Sequence, residues 1–179
     1  KYLKSLEATK SIFLVTNGQE PDMIQKLGDE NALPTQLYLS TNAADYESFL
    51  KINRPRYDDS WERWNKTLKM LSTLDTRTVL RLTLIRGYND NEKMIPAFAS
   101  LLRQSNAHFV EIKSYMHIGR STNRLEYSDM LEMDEVRSFA NKLVQENNAF
   151  TVMDESEISR IVILQNKKRF IDRFIPAYS

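Results

Sequence analysis

The stretch RTVLRLTLI, residues 77–85, decides the fold class of this chain. Within it three leucines alternate with Arg81 and Thr83, and residues 36–40 and 109–113 alternate in the same way. A parallel strand covered on both faces is apolar throughout, so polar residues at alternate positions predict that one face borders a ligand cavity. An antiparallel sheet wetted on one side would give the same alternation, although helical segments between the strands argue against it.

Strand-length apolar runs and helical apolar stripes follow one another along the chain. Strands are predicted at residues 11–15, 36–40, 78–85 and 108–112. Helices are predicted at residues 59–74, 91–104 and 134–145. This βα repeat with short connections predicts an α/β fold with a parallel sheet, either open or closed into a barrel. Residues 150–153 and 158–164, joined by a turn at 154–157, predict an antiparallel hairpin at the edge.

Length and composition bound the function. We expect one domain over residues 1–179, whose last part, residues 149–179, holds the strand pair and a basic tail. The absence of cysteine excludes disulfides, thiolate zinc sites, cysteine nucleophiles and thiolate ligation of an iron–sulfur cluster by these residues. A formal net charge of +1 gives no general attraction to polyanions, so a nucleic-acid site has to come from local clustering.

Further expectations concern location and completeness. No apolar run has the length of a membrane span, and no signal-peptide pattern follows the first residues, so we expect a cytoplasmic protein with no membrane partner. Because the chain begins with Lys1 and enters a strand-like segment almost at once, we expect a piece of a longer polypeptide. Two histidines without cysteine give no metal-site spacing, so no metal ligands are predicted.

Several blocks of sequence, in order along nearly the whole chain, resemble one family. They are residues 16–19 (TNGQ), 34–40 (PTQLYLS), 52–55 (INRP), 77–85 and 111–119 (EIKSYMHIG), followed by Arg124-Leu125 and Asp129-Met130-Leu131. These blocks resemble the tRNA 4-demethylwyosine synthases, which are radical S-adenosylmethionine enzymes of wybutosine biosynthesis. The resemblance is strongest toward the archaeal form.

The resemblance implies a fold and an activity. It implies a partial (β/α)6 radical-SAM barrel with strands three to six present. In this fold S-adenosylmethionine lies across the ends of the strands, where a 4Fe-4S cluster cleaves it. It implies condensation of pyruvate with N1-methylguanosine of phenylalanine tRNA, with an electron donor as a further partner. The family's CxxxCxxC loop, its further cluster cysteines and its Gly-Glu-Pro motif are not in these 179 residues. The family's pyruvate-binding lysine would precede Lys1.

The resemblance also implies roles for single residues around S-adenosylmethionine. Thr16 and Asn17 match the end of the third barrel strand, where the methionyl part or the ribose is held. Ser40 matches the polar position near the ribose. Arg81 and Thr83 face the same lumen, where the guanidinium of Arg81 could pair with the cofactor carboxylate. The alternative for each is a hydrogen bond within the lumen and no ligand contact.

Other residues are assigned to the substrates. Lys113 and Tyr115, at and beyond the end of the last parallel strand, are expected to serve the tRNA base or pyruvate. Two basic–aromatic loops are expected to bind phosphates and stack on a splayed base: Asn53, Arg54, Arg56 and Tyr57 in the first, and His117, Arg120 and Arg124 in the second. The alternative for these loops is solvated surface charge.

Two other functions stay open on the sequence alone. One is an RNA-binding module that works through the basic loops without a catalytic segment. The other is a different radical S-adenosylmethionine enzyme, since the residues that face the lumen indicate which cofactor is bound more than which substrate is bound.

Overall fold

A computed structural model describes residues 1–175, which form one six-stranded sheet with helices against it. The sheet order is β1-β2-β3-β4-β6-β5. The strands are β1 (Phe13–Thr16), β2 (Gln36–Ser40), β3 (Arg77–Leu84), β4 (Phe109–Ser114), β5 (Phe150–Ser156) and β6 (Ile161–Asn166). Strands β1 to β4 pair in parallel, whereas β6 pairs antiparallel with both β4 and β5. The mixed α/β fold predicted from the sequence is confirmed.

Five α-helices connect and cover the strands. They are α1 (Pro21–Asp29), α2 (Tyr46–Asn53), α3 (Ser60–Met70), α4 (Ile95–Ser105) and α5 (Met133–Glu146). Short 3₁₀ turns lie at Tyr2–Ser5, Glu92–Met94, Gly119–Asn123 and Tyr127–Asp129. The sequence analysis missed α1 and α2, which are short and carry few apolar positions. Local chemistry starts them: Pro21 lies in the first turn of α1, and the Asp45 carboxylate accepts from the Ser48 N–H at the start of α2.

The two faces of the sheet have different chemistry, as the alternation predicted. Leu37 and Leu39 of β2 are fully buried against the helices, as are the three alternating leucines of β3. Arg81 and Thr83, on the opposite face of β3, are only half-buried. We call this opposite face the lumen face. Because side chains alternate along a strand, the helix side holds the core while the lumen face is free for ligand chemistry.

The carboxyl-terminal hairpin differs in detail from the prediction. Both strands are antiparallel as expected, but β6 lies inside the sheet and only β5 lies at the edge. The predicted turn at residues 154–157 is wrong, because Asp154, Glu155 and Ser156 continue β5 after an irregularity in the register. The Glu155 carboxylate accepts hydrogen bonds from Arg137 of α5, and this contact stabilises the extended conformation of these acidic residues. Of the predicted tail region, residues 176–179 lie outside the described residues.

Helix α3 fixes the end of β2, next to the site described below. Trp64 is fully buried, and its indole N–H donates to the carbonyl of Ser40 at 3.0 Å. The Thr67 hydroxyl of the same helix donates to the carbonyl of Gly18 at 2.8 Å. The carboxyl ends of β1 and β2 are therefore held by side chains of one helix. No helix among residues 1–175 is long and apolar enough to cross a membrane.

His108 predicts a measurable pH dependence of folding. Its Nδ1 accepts from the Thr78 N–H at 3.1 Å. Burial, then the positive charges of Arg169 and Arg77, lower the pKa of His108 from 6.5 to about 4. Because the unfolded chain takes up this proton first, the free energy of unfolding falls as the pH drops from about 6.5 to 4, by up to about 3 kcal/mol.

Urea unfolding at several pH values measures this effect. In the variant His108→Asn the side-chain oxygen can accept the same hydrogen bond but does not titrate, so it is the matched control. We expect the wild-type curve to fall more steeply than the variant curve in this window. Parallel curves would show that His108 is not buried in its neutral form.

Candidate functional site

An open cavity of about 850 Å³ lies at the carboxyl ends of the parallel strands. Parallel α/β sheets bind ligands at this edge. Of the residues singled out from the sequence, the structure places Asn17, Ser40, Arg81, Thr83, Asn53, Arg54, Arg56, Tyr57, Lys113, Tyr115 and Arg124 on its wall. Thr16, His117 and Arg120 are not on the wall. The structure thus brings together most of the residues expected to bind S-adenosylmethionine and most of those expected to bind the substrates, although the two sets are far apart in the chain.

The turn after β1 accounts for Thr16 and shapes the wall around Asn17. The Thr16 hydroxyl accepts from the Gly18 N–H at 3.0 Å, and Asn17 Oδ1 accepts from the Gln19 N–H at 3.2 Å. Both side-chain oxygens thereby stabilise the turn itself. Asn17 remains exposed at the cavity, whereas Thr16 has a structural partner instead of a place on the wall.

Arg81 has a protein partner on the lumen face. Its Nε donates to Glu111 Oε1 at 2.7 Å, and its Nη2 lies 3.4 Å from Glu111 Oε2. The guanidinium also stacks over the Tyr38 ring at 4.4 Å. Burial, then the charge of Glu111, raises the pKa of Tyr38, which stays a neutral phenol. Two of the guanidinium nitrogens are therefore engaged with Glu111, so a cofactor carboxylate would have to share Arg81 with it.

Two acceptor oxygens on this wall, which the sequence analysis did not single out, have no partner in the described part of the protein. Gln19 Oε1 and Asn42 Oδ1 are buried, and neither has a hydrogen-bond partner within residues 1–175. Both residues line the cavity. A buried acceptor without a partner costs about 1–3 kcal/mol, so a donor from a ligand or an ordered water would stabilise these oxygens. Position was the available signal, since each residue follows a predicted strand by two to four residues.

The donor groups of S-adenosylmethionine fit this arrangement. Its ribose hydroxyls, its ammonium and its adenine amine are donors that the Gln19 and Asn42 oxygens lack. The apolar side chains of Ile85, Ile118 and Leu125 line the same cavity and offer a surface for an adenine ring. The residues of the cavity therefore suit a ligand of this kind.

The first basic loop follows α2 at the cavity rim. Arg54 ends that helix in a left-handed conformation with φ of 48°, and Arg54, Arg56 and Tyr57 are exposed. The guanidinium of Arg63 lies 4.8 Å from the centre of the Tyr57 ring. Arg124, from the second loop, donates from Nη1 to the carbonyl of Ile52 at 2.9 Å. This bond ties the second loop to the last turn of α2, from which the first loop leads.

The second loop is anchored by Tyr115. The Tyr115 ring is buried, its hydroxyl donates to Ser121 Oγ at 3.1 Å, and it lies 3.2 Å from His117 Nδ1. His117 in turn packs edge-on against Tyr127, which is 70% exposed. Tyr115 thus holds the loop that carries His117 and Arg120, in addition to lining the cavity.

Comparison with known proteins gives relatives that agree with the resemblance. Residues 104–166 match the family model described as wyosine base formation. The S-adenosyl-L-methionine-dependent tRNA 4-demethylwyosine synthase of Pyrococcus abyssi is 40% identical over 152 residues, and that of Methanocaldococcus jannaschii is 42% identical over 160 residues. This chain is similar to the tRNA 4-demethylwyosine synthases over most of its length.

The likeness covers most of this chain but less than half of these synthases. It covers 85% of this chain and 44% of the Pyrococcus protein, and 89% of this chain and 48% of the Methanocaldococcus protein. The human synthase, TYW1, is 35% identical over 94% of this chain and 22% of its own length. The chain therefore spans about half the length of the archaeal synthases that it matches.

Solved structures agree with the sequence comparison. A structure of TYW1 with a lysine–pyruvate adduct bound matches with a TM-score of 0.76 and 39% identity, over 89% of this chain and 48% of that one. A crystal structure of archaeal TYW1 matches with a TM-score of 0.69 and 36% identity, over 89% of this chain and 47% of that one. The fold alone is shared with Escherichia coli coproporphyrinogen III oxidase, a radical SAM enzyme, at a TM-score of 0.51 and 13% identity.

The iron–sulfur cluster of radical SAM enzymes does not fit the residues of this chain. The chain has no cysteine, and residues 1–175 hold no group of three or more histidine, aspartate or glutamate side chains that could bind a metal ion. Thiolates are the usual ligands of such clusters. Residues 1–175 thus supply cavity walls and rim loops, and no ligand set for a cluster.

Proposed function

We propose that this chain is part of a radical S-adenosylmethionine tRNA 4-demethylwyosine synthase, which condenses pyruvate with N1-methylguanosine of phenylalanine tRNA. The observation that carries the proposal is 40–42% identity to the archaeal synthases over 85–89% of the chain. We further propose a cytoplasmic enzyme that takes its electrons from a separate donor.

The proposal extends to the architecture. Strands β1 to β4 would be strands three to six of a (β/α)6 barrel. The parallel pairing of these four strands and the edge position of β1 support this assignment, because a barrel closes when its edge strands find partners.

Residues of the strand ends would hold S-adenosylmethionine, which when bound supplies a deoxyadenosyl radical. The Gln19 and Asn42 oxygens would accept hydrogen bonds from its hydroxyl or amine groups. Asn17, Ser40 and Thr83 offer further polar atoms on the same wall. The apolar side chains beside them exclude water from the bound ligand.

The rim loops would hold the tRNA. Arg54, Arg56, Arg120 and Arg124 are exposed cations that can bind phosphates. Tyr57, with Asn53 beside it, and the pair His117 and Tyr127 offer rings on which an unstacked base can lie. Lys113 and Tyr115, deeper in the cavity, would face the base or pyruvate.

A chimera tests the proposal directly. The 160 residues of the Methanocaldococcus synthase that match this chain are replaced by the corresponding residues of this chain. We expect the chimera, assembled with its cluster, to form 4-demethylwyosine on phenylalanine tRNA, detected by mass spectrometry of nucleosides. A folded chimera that cleaves S-adenosylmethionine but never modifies this tRNA would contradict the assigned substrate.

Variants of the same chimera separate the two ligand surfaces. We expect Arg54→Ala and Arg120→Ala each to weaken tRNA binding and lower its salt slope by about one, with cofactor affinity unchanged. We expect Ser40→Ala and Asn42→Ala to weaken S-adenosylmethionine binding by about 1–3 kcal/mol and leave the tRNA salt slope unchanged.

Arg103→Ala is the matched control for the arginine variants, since Arg103 is an exposed arginine of α4 outside the cavity wall. If Arg54→Ala and Arg120→Ala bind tRNA with the same affinity and salt slope as Arg103→Ala, the rim loops are solvated surface and the tRNA assignment fails. Titrations at several salt concentrations give the slopes.

A further inference from the structure

Lys113 occupies a distinct level of the lumen face. Strand register places it directly across from Thr83 of β3 on one side and Ile161 of β6 on the other. Arg81 and Glu111 are paired one level below, two residues earlier on the same two strands. The Lys113 side chain is half-buried and lines the cavity.

The ammonium of Lys113 has no acidic partner within residues 1–175. Glu111 is the nearest carboxylate in sequence on the same face of the strand, and it is already paired with two nitrogens of Arg81. The Thr83 hydroxyl across from Lys113 makes no side-chain hydrogen bond within the described part of the chain either. Lys113 and Thr83 therefore occupy paired register positions, and neither side chain has a hydrogen-bond partner among the described residues.

The cavity as a whole favours an anion. Among the described residues of its wall, the cations Arg54, Arg56, Lys113 and Arg124 have no carboxylate partner, Arg81 is paired with Glu111, and Glu20 is the single carboxylate. Glu20 itself lies 4.0 Å from the guanidinium of Arg63. A wall with this excess of cations concentrates anions, and the half-buried ammonium of Lys113 is one of these cations.

We propose that Lys113, with the Thr83 hydroxyl beside it, binds the carboxylate of the small-molecule ligand of this cavity. The inference rests on the proposed function, in which pyruvate and the methionyl part of S-adenosylmethionine both carry a carboxylate. Lys113 supplies charge and a donor to one carboxylate oxygen, and Thr83 supplies a second donor. The amine acts as a cation and forms no covalent bond.

Ligand titrations of the chimera described above, with the variants placed in it, test the proposal. The ligands are pyruvate, its uncharged methyl ester and S-adenosylmethionine, at low salt, with binding followed by calorimetry or NMR. We expect Lys113→Met to weaken a carboxylate ligand about tenfold or more, and Lys113→Arg to keep its affinity within about threefold. We expect the methyl ester to bind equally to all variants.

The source of the carboxylate follows from which ligand responds. A loss confined to pyruvate assigns the site to the 2-oxo acid, and a loss confined to S-adenosylmethionine assigns it to the methionyl group. Lys142→Met is the matched control, because Lys142 pairs with Glu92 and does not line this cavity. Urea midpoints of all variants show whether a loss comes from unfolding.

Three results would overturn the inference. They are no saturable binding of either ligand to the parent chimera, equal affinities of the parent chimera and its Lys113→Met variant, and a borohydride-reduced pyruvate adduct on Lys113, which would make the amine a nucleophile. The proposed function fails separately. An inactive chimera with a Lys113-dependent carboxylate site removes the synthase assignment alone, and an active chimera with Lys113-independent binding removes this inference alone.

Discussion

The variant Gly18→Ala is expected to lose about 2–5 kcal/mol of unfolding free energy, among the largest effects of a single added methyl group in this chain. Gly18 has φ of 76°, and a Cβ there would lie 2.7 Å from Leu39 Cδ1 and 3.0 Å from Trp64 Cδ1. Neither neighbour can move freely, since both are fully buried and the Trp64 indole is bonded to Ser40. The added methyl therefore meets both backbone strain and a packed core.

Gly87→Ala is the matched control. Gly87 has a similar φ of 73°, but nothing lies within 4 Å of the position of its Cβ. This variant should lose only the cost of the left-handed backbone, about 1–2 kcal/mol. Urea unfolding followed by tryptophan fluorescence gives both values. Equal losses would show that the contacts around Gly18 yield to the methyl without cost.

The second large effect is expected from Arg81→Met. This variant leaves Glu111, whose side chain is only 11% exposed, without its guanidinium partner. A buried carboxylate without a partner is strongly destabilising, and we expect a loss of about 2–4 kcal/mol at neutral pH. The double variant Arg81→Met/Glu111→Met should recover most of the loss, because it removes the stranded charge.

A surface network provides the comparison for this pair. Arg137 of α5 binds Asp134, Glu155 and Glu157, whose side chains are 44–91% exposed. Arg137→Met should cost about 1 kcal/mol or less, because solvent screens these carboxylates. If Arg81→Met costs no more than Arg137→Met, the lumen pair is solvated and the large effect predicted for it is wrong.

The sequence allowed much of the fold to be predicted because period-two alternation reports both the strand and its two faces. Leu80 is buried on the helix side of β3 and Arg81 is half-buried on the lumen face, as their polarity suggested. Helices α1 and α2 escaped detection because eight or nine residues give too few turns for a stripe of apolar positions. Their stability comes from packing against the sheet, which no local pattern reports.

The cavity wall was partly predictable for a similar reason. Alternation placed Ser40 and Lys113 on a polar strand face, and the resemblance to the synthases then assigned them to ligands. The pairing of Arg81 with Glu111 depends on the register between two strands thirty residues apart in sequence, which alternation cannot fix. The orphaned oxygens of Gln19 and Asn42 become visible only when packing excludes water from them.

The alternation on β3 and β4 has a consequence for how such a cavity can diversify. Successive side chains on the lumen face are two residues apart, about 6.6 Å along each strand, so each pair of residues contacts a bound ligand at a different depth in the cavity. Replacing the pair at one level, for example Thr83 and Lys113, alters recognition at one depth and leaves the leucines behind it untouched. Deleting one residue would turn every later side chain to the other face and exchange wall for core. Point substitutions at the level of Thr83 and Lys113 can thus retune ligand choice at little structural risk, whereas the buried pair of Arg81 and Glu111 one level below does not tolerate a single change. Insertions and deletions are confined to the rim loops.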